Sequence, residues 1–372
     1  MHYGLFFAVI VYKLSGFSQL GVIKNELYLH APETRPNTKN MKFTRINAAV
    51  FMLPALFAAI LAACGGEEGA DPVRIVRFDK AVAGYSELDS AARTAFRDTF
   101  RAVAGIVANI QTKGAVVDAD DEFLSEYSVN PRINFYAPGI AERLGPLDSV
   151  ECALGEARQN ASAMLPELRW PEIFGVVLPY NQSVVVADSV VLVGLNHYLG
   201  PDYAPYSYFD EYVRLGKQKR LMPYHIVEAL VAVAYPYRPS ADATALSRMV
   251  YEGALSELVM RLLGSSSEAD ALGYTAEQLD WACANEPQAW RALIDKNLLY
   301  STDPVVAGRL VRPSPHTAIL HPSSPGRFGR FIGYRIVESY LSGHPSAPLT
   351  ELLDSAFYNS PTVLVDSNYF PR

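Results

Sequence analysis

Residues 41–64, MKFTRINAAVFMLPALFAAILAAC, limit the foldable chain more than any other feature. Lys42 and Arg45 make a short basic region. Residues 48–60 make an apolar run too short to span a bilayer comfortably, and Leu61-Ala62-Ala63-Cys64 is a small-residue cleavage site ending in cysteine. That order reads as a lipoprotein signal, with residues 41–63 removed and Cys64 acylated. Such a pattern belongs at an extreme N-terminus, and Met41 stands directly before it. Residues 1–40 are therefore expected to be an extension from a start placed too early. Removing residues 1–63 from the 372 leaves 309, enough to bury a sizeable core. Residues 64–72 (CGGEEGADP) read as an acidic tether, which leaves residues 73–372 as one globular body.

The net charge is −7, and the densest basic run is only Lys217-Gln218-Lys219-Arg220, so nucleic acid is not an expected partner. With Cys64 acylated, Cys152 and Cys283 remain. A bridge between them and a pair of buried thiols are both compatible with the sequence.

Along the body, residues 74–79 alternate apolar and charged side chains and predict a strand. Residues 86–110 carry Leu88, Ala92, Phe96, Phe100, Val103, Ile106 and Val107 at three- and four-residue steps, which predicts a long amphipathic helix. Shorter helical pieces are predicted at 123–127 and 137–144, and a longer one over 147–165, stopped by Pro166. Residues 172–180 and 183–195 are Val-rich and predict strands joined by a turn at Asn181-Gln182, with a second possible turn near Ala187-Asp188. Helices are predicted at 223–234, 242–262, 275–282, 286–296, 327–343 and 348–357. The composite is α+β: a helix-dominated single domain with a small antiparallel sheet.

No nucleophile elbow, phosphate loop or dinucleotide fingerprint is present. One arrangement resembles the order of parts in zincin-type peptidases. A sheet edge precedes a helix carrying His225-Ile226-Val227-Glu228, and a later helix carries Glu252. Zincin chemistry needs two histidines one turn apart, a glutamate base beside the first, and a third ligand from a later helix. Here Ile226 stands where the base belongs and Ala229 where the second histidine belongs. The candidate metal set is thus His225, Glu228 and Glu252, with His197 able to approach from the strand end, and the motif is incomplete. The degenerate zincin-like arrangement assigns no catalytic residue and no cofactor, with zinc as the alternative. The plainer expectation is that His225 and Glu228 make hydrogen bonds at a helix start.

Arg327 and Arg330 follow Ser324-Pro325-Gly326 at a helix entrance. They are candidate contacts for an anion or a partner, or else pair with carboxylates of neighbouring helices. Gly329 and Gly333 leave room for close approach of another backbone. The Pro- and Ser-containing residues 312–325, with His316 and His321, read as a solvated loop.

Several stretches in order carry a family resemblance: residues 195–200 (LNHYLG), 222–229 (MPYHIVEA), 249–253 (MVYEG), 273–281 (GYTAEQLDW), Asn285-Glu286 with Trp290, 298–303 (LLYSTD) and 325–340 (PGRFGRFIGYRIVESY). Together they resemble the gliding-motility lipoprotein family (GldB-type) of Bacteroidetes. The resemblance implies a cell-envelope lipoprotein, held in a bilayer through acylated Cys64 and associated with envelope proteins of a motility or secretion apparatus. It implies the outer membrane without fixing the face, and it settles no enzymatic activity. The alternative reading is a divergent zinc-dependent hydrolase.

Overall fold

Val-rich runs with no polar alternation are the mark of strands covered on both faces, and they form the centre of the molecule. The computed structural model describes Val11–Tyr12 and residues 70–371, apart from 116, 117, 188 and 266. Residues 41–63, read above as a signal, and Cys64 therefore lie outside the described residues. The strands are β1 (Val11–Tyr12), β2 (Ile75–Arg77), β3 (Glu172–Val176), β4 (Val184–Ala187) and β5 (Val190–Gly194), in spatial order β1-β4-β5-β3-β2. β2 and β3 pair in parallel, β3 and β5 pair in parallel, and β4 and β5 form the antiparallel hairpin. The two-residue β1 lies parallel to β4.

The sheet is thus mixed rather than antiparallel. The hairpin turns between β4 and β5, at the second of the two turns the sequence offers, while Asn181 and Gln182 lie in the link from β3. The reason is physical. β4 and β5 are buried at every described position. A strand apolar on both faces carries no pattern that selects one partner, register or direction. Residues 74–79 also divide: β2 ends at Arg77, and Phe78–Ala83 is already helical.

Successive strand residues face two different cores. Phe174, Val176, Val185, Val190 and Leu192 pack with Phe78, Phe96, Val103, Val107 and Leu124. That layer comprises α1 (Ser90–Gln111) and α2 (Asp121–Val129). Ile173, Val184, Val186, Val191 and Val193 face the larger core on the other side. It is built from α3 (Asp148–Met164), α4 (Met222–Ala234), α5 (Ala245–Leu262), α6 (Ala276–Ala284), α7 (Glu286–Asp295), α8 (Pro304–Val311) and α9 (Phe328–Gly343). Helix α8 falls in a segment where the sequence predicts none, begun by Asp303 accepting from the Val305 amide at 2.8 Å. The segment predicted as one helix over 348–357 divides into a 3₁₀ turn (Leu349–Leu353) and a short helix (Ser355–Tyr358).

Helix α5 is the axis of this core. It is buried nearly all round, as a helix surrounded by other helices must be. A capping box between Thr244 and Ser247 starts it. Helix α9 crosses it at Gly253 and Gly333. A Cβ at Gly333 would overlap the Met249 carbonyl, and one at Gly253 would overlap the Gly333 backbone. Both positions therefore need glycine for contact between the two backbones, not for a special dihedral.

Cys152 and Cys283 are not joined, and Cys283 is exposed, so neither expected arrangement of the pair holds.

Replacing Gly333 or Gly253 by Ala should force α5 and α9 apart. The expected loss of unfolding free energy is on the order of 3 kcal/mol. Gly343→Ala, where a Cβ would meet nothing within 4 Å, serves as the control. Denaturant melts of the three variants read the difference.

Candidate functional site

The α5–α9 crossing fixes where Arg330 points. One turn before Gly333, its side chain enters the core and is 3 % exposed. The guanidinium holds Glu228 of α4 in a two-pronged pair, Nη1 to Oε1 at 2.9 Å and Nη2 to Oε2 at 2.8 Å. Its Nε donates to Ser256 Oγ at 2.6 Å, and Nη2 also donates to the Ala271 carbonyl at 3.2 Å. Glu252 stands 3.8 Å from the same guanidinium and accepts from Arg248 at 2.5 Å. Burial alone would raise the Glu228 carboxyl. The charge and hydrogen bonds of Arg330 outweigh that and hold it at about 2.

The metal candidates are thereby spoken for. Both oxygens of Glu228 face a guanidinium. His225 Nδ1 lies 3.1 Å from the Tyr198 hydroxyl. His197, 1 % exposed, has Nδ1 3.0 Å from Ser183 Oγ and Nε2 3.1 Å from the Pro179 carbonyl. Among the described residues no group of three or more His, Cys, Asp or Glu is placed to hold a metal. The donor set does not fit a zincin centre. His225 and Glu228 instead make the hydrogen bonds that their position at a helix start predicts.

A cleft of about 80 Å³ opens beside this cluster, between residues 180–183, 212–221 and 273–278, with Arg327 at its rim. Three features of it escape the sequence. Lys217, 6 % exposed, sits among the rings of Tyr180, Tyr206 and Phe209, 4.9, 5.4 and 4.9 Å from their centroids. Its Nζ is 3.4 Å from His197 Nδ1. The Tyr274 hydroxyl is buried with no hydrogen-bond partner among the described residues. Asn196, fully buried, exchanges hydrogen bonds of 3.0 and 2.9 Å with the backbone of Leu178 and so fixes the wall that carries Tyr180. In sequence Lys217 looks like part of a surface basic run. In the fold that run disperses: Lys219 donates to the Leu144 carbonyl at 2.7 Å and Arg220 pairs with Asp270. The only signal was the cluster of aromatic residues just upstream, from Tyr203 to Phe209.

Burial pushes the Lys217 ammonium down to about 7. Burial also lowers His225, to about 4. Glu228 opposes that shift, while the charges of Arg327, Lys217 and Arg330 add to it. Lys217 and the two arginines thus all disfavour the charged form of His225.

The loop read as solvated is partly an anchor. Thr317, 1 % exposed, accepts from the Phe328 amide at 3.0 Å and donates to the Pro325 carbonyl at 2.9 Å, which caps α9. Arg327 takes a left-handed conformation at φ 60° just before that helix. Arg330 goes inward and Arg327 goes to the cleft, so the two candidate arginines part company.

The family model described as gliding motility protein GldB matches residues 67–371. The chain belongs to the GldB family. No curated protein and no solved structure matches it. The match spans both cores and every helix of the cleft, not the second half of the body alone. Membership associates the chain with gliding motility and with a lipoprotein family of the envelope. No helix among the described residues is long and apolar enough to cross a membrane.

Lys217→Met should stabilise the fold by removing a buried charge. The folded value near 7 lies below the usual 10.5, so between those values the unfolded chain holds a proton that the folded chain does not. The gain should be complete below pH 7 and fade as pH rises toward 10.5. Melts of both proteins at pH 6 and pH 10 check the sign.

Proposed function

We propose that this chain is an exported lipoprotein of the gliding-motility type, anchored in the outer membrane through Cys64, that acts by binding other envelope proteins. In this reading residues 1–40 are not part of the native start, residues 41–63 are the cleaved signal, and residues 64–72 let the body stand off from the bilayer. Two acyl-type anchors on one cysteine would give stable attachment without a spanning helix. The observation that carries the reading is the family match over residues 67–371. The structure supports a binding role over catalysis in one specific way. The acidic groups that would serve a hydrolase, Glu228 and Glu252, are engaged by Arg330 and Arg248.

Two arms test the proposal in cells that depend on the protein for surface motility or envelope assembly. Cys64→Ala should release the protein from the membrane fraction and abolish that dependence. Full function from a soluble Cys64→Ala protein would refute the anchor. Glu252→Gln, checked for folding by thermal melt, should retain function. A folded Glu252→Gln protein with no function would favour the hydrolase instead, as would zinc retained at one equivalent through dialysis.

A further inference from the structure

Among the described residues Lys217 is the lysine that the fold buries, at 6 % exposure, whereas Lys80, Lys113 and Lys296 are exposed. It lines the cleft together with Ser183 and Tyr180. Burial is what moves its titration, with no carboxylate acting against it. One hydrogen-bond acceptor is recorded at its Nζ among the described residues, His197 Nδ1 at 3.4 Å. The tautomer of His197 follows from its other nitrogen. Nε2 faces the carbonyls of Leu178 and Pro179 at 3.4 and 3.1 Å, so Nε2 carries the hydrogen and Nδ1 the lone pair. Ser183 Oγ, 3.0 Å away, shares that lone pair. The other titratable groups around Nζ are the phenols of Tyr180 and Tyr206, both pushed upward by burial, and His225, on which the lysine charge acts. None of them is an anion at pH 7.

An ammonium has three N–H donors and a full charge. This site answers one donor, in part, and turns ring faces to the rest. Two other forms of the nitrogen suit it better. A neutral amine brings no charge to bury. An iminium, C=N⁺–H, keeps a single N–H for His197 Nδ1 and spreads its charge onto carbon, where the faces of Tyr180, Tyr206 and Phe209 attract it. The reaction that joins these two forms is the addition of an amine to an aldehyde or ketone, which desolvated lysines perform. An acyl adduct would discard the charge that the rings favour, and a carbamate would bring in a negative one.

We propose that Lys217 is a reversible covalent receptor for an aldehyde or ketone group that enters the cleft, held as an iminium among Tyr180, Tyr206 and Phe209. The Nζ lone pair forms a bond to the carbonyl carbon, and the C=O π pair moves to oxygen. One proton passes from nitrogen to that oxygen through His197 Nδ1. With a second proton, from solvent, the hydroxyl leaves as water, and the lone pair remaining on nitrogen forms the C=N bond. Addition of water reverses the sequence and releases the ligand unchanged. A space of about 80 Å³ suits one small carbonyl group, and Asn181, Thr275 and Gln278 offer hydrogen bonds to the body of the ligand. This site goes beyond the envelope-anchoring role and does not depend on it.

The test is reductive trapping. The full-length chain in detergent is treated with acetaldehyde and sodium cyanoborohydride at pH 7, and ethylated lysines are located by peptide mass spectrometry. Lys217 should be modified at least about tenfold faster than the exposed Lys80 and Lys113, because it holds the larger share of neutral amine at that pH. The ratio should shrink as pH rises from 7 to 10, where the exposed lysines lose their protons too. It should vanish when the chain is unfolded in urea. The proposal is overturned if folded Lys217 is modified no faster than Lys80 and Lys113, or if its preference survives unfolding. Either result leaves the anchoring proposal standing, since that is read from membrane fractionation.

Discussion

The contact between Gly253 and Gly333 sets the rest of the larger core. Two helices whose backbones touch have little freedom to slide or tilt, because each carbonyl ridge sits where a side chain would otherwise stand. Arg330 lies one turn before the crossing on α9, and Glu252 lies next to it on α5. With the helices locked, the Arg330 guanidinium can reach only a small region, and that region contains Glu228, Ser256 and the Ala271 carbonyl. A wider crossing would leave a buried guanidinium short of partners, an arrangement more costly than having no charge there at all. The glycines and the ion pair are therefore one constraint expressed twice, first as packing and then as electrostatics.

The charges around α4 and α9 fall into two kinds. Arg330, Arg248 and Arg220 each have a carboxylate within hydrogen-bond or ion-pair range, and the Glu228–Arg330 pair is two-pronged. The Arg330–Glu228 pair ties α9 to α4, whereas the Arg248–Glu252 pair lies within α5. Lys217 is of the other kind: it is surrounded by ring faces, which stabilise a cation weakly, and its charge is costly enough that burial brings its titration near neutrality. A fold that keeps such a group, when a methionine of similar length would pack there without charge, gives up stability at that position.

Much of the fold is legible in the sequence because most helices carry strong local signals. Phe96, Phe100, Val103 and Val107 keep helical spacing, Thr244 and Thr275 sit at capping positions, and Pro166 ends α3. The family resemblance was legible as well, because the stretches from Leu195 to Tyr340 keep their order. The strand directions were not, since Val184 to Val193 are apolar on both faces and encode burial without encoding a neighbour. The cleft was legible only in part. Arg327 stood out through its place at a helix entrance, and His225 through its spacing to Glu228. Lys217 did not, because a lysine in a basic run reads as surface unless its aromatic neighbours are known to fold over it. Tyr274 did not, because a missing hydrogen bond is a property of the assembled structure and leaves no mark on the chain.

The likeness in part order to zinc peptidases has a physical resolution in the same residues. A helix that presents His225 and Glu228 on one face, with Glu252 arriving from the next helix, assembles negative charge at one point of a low-dielectric core. That charge has to be balanced by a cation. In a metal site the cation is an ion, which needs open coordination and histidine nitrogens turned toward it. Here the balancing cation is Arg330, attached to the chain by its own helix and fixed by the glycine crossing. A guanidinium satisfies both oxygens of Glu228 and leaves them no geometry for a metal, while His225 turns to the Tyr198 hydroxyl. The Glu228 carboxylate is thus closed to a metal by a side chain of the same core, while Lys217 sits among ring faces at the neighbouring cleft.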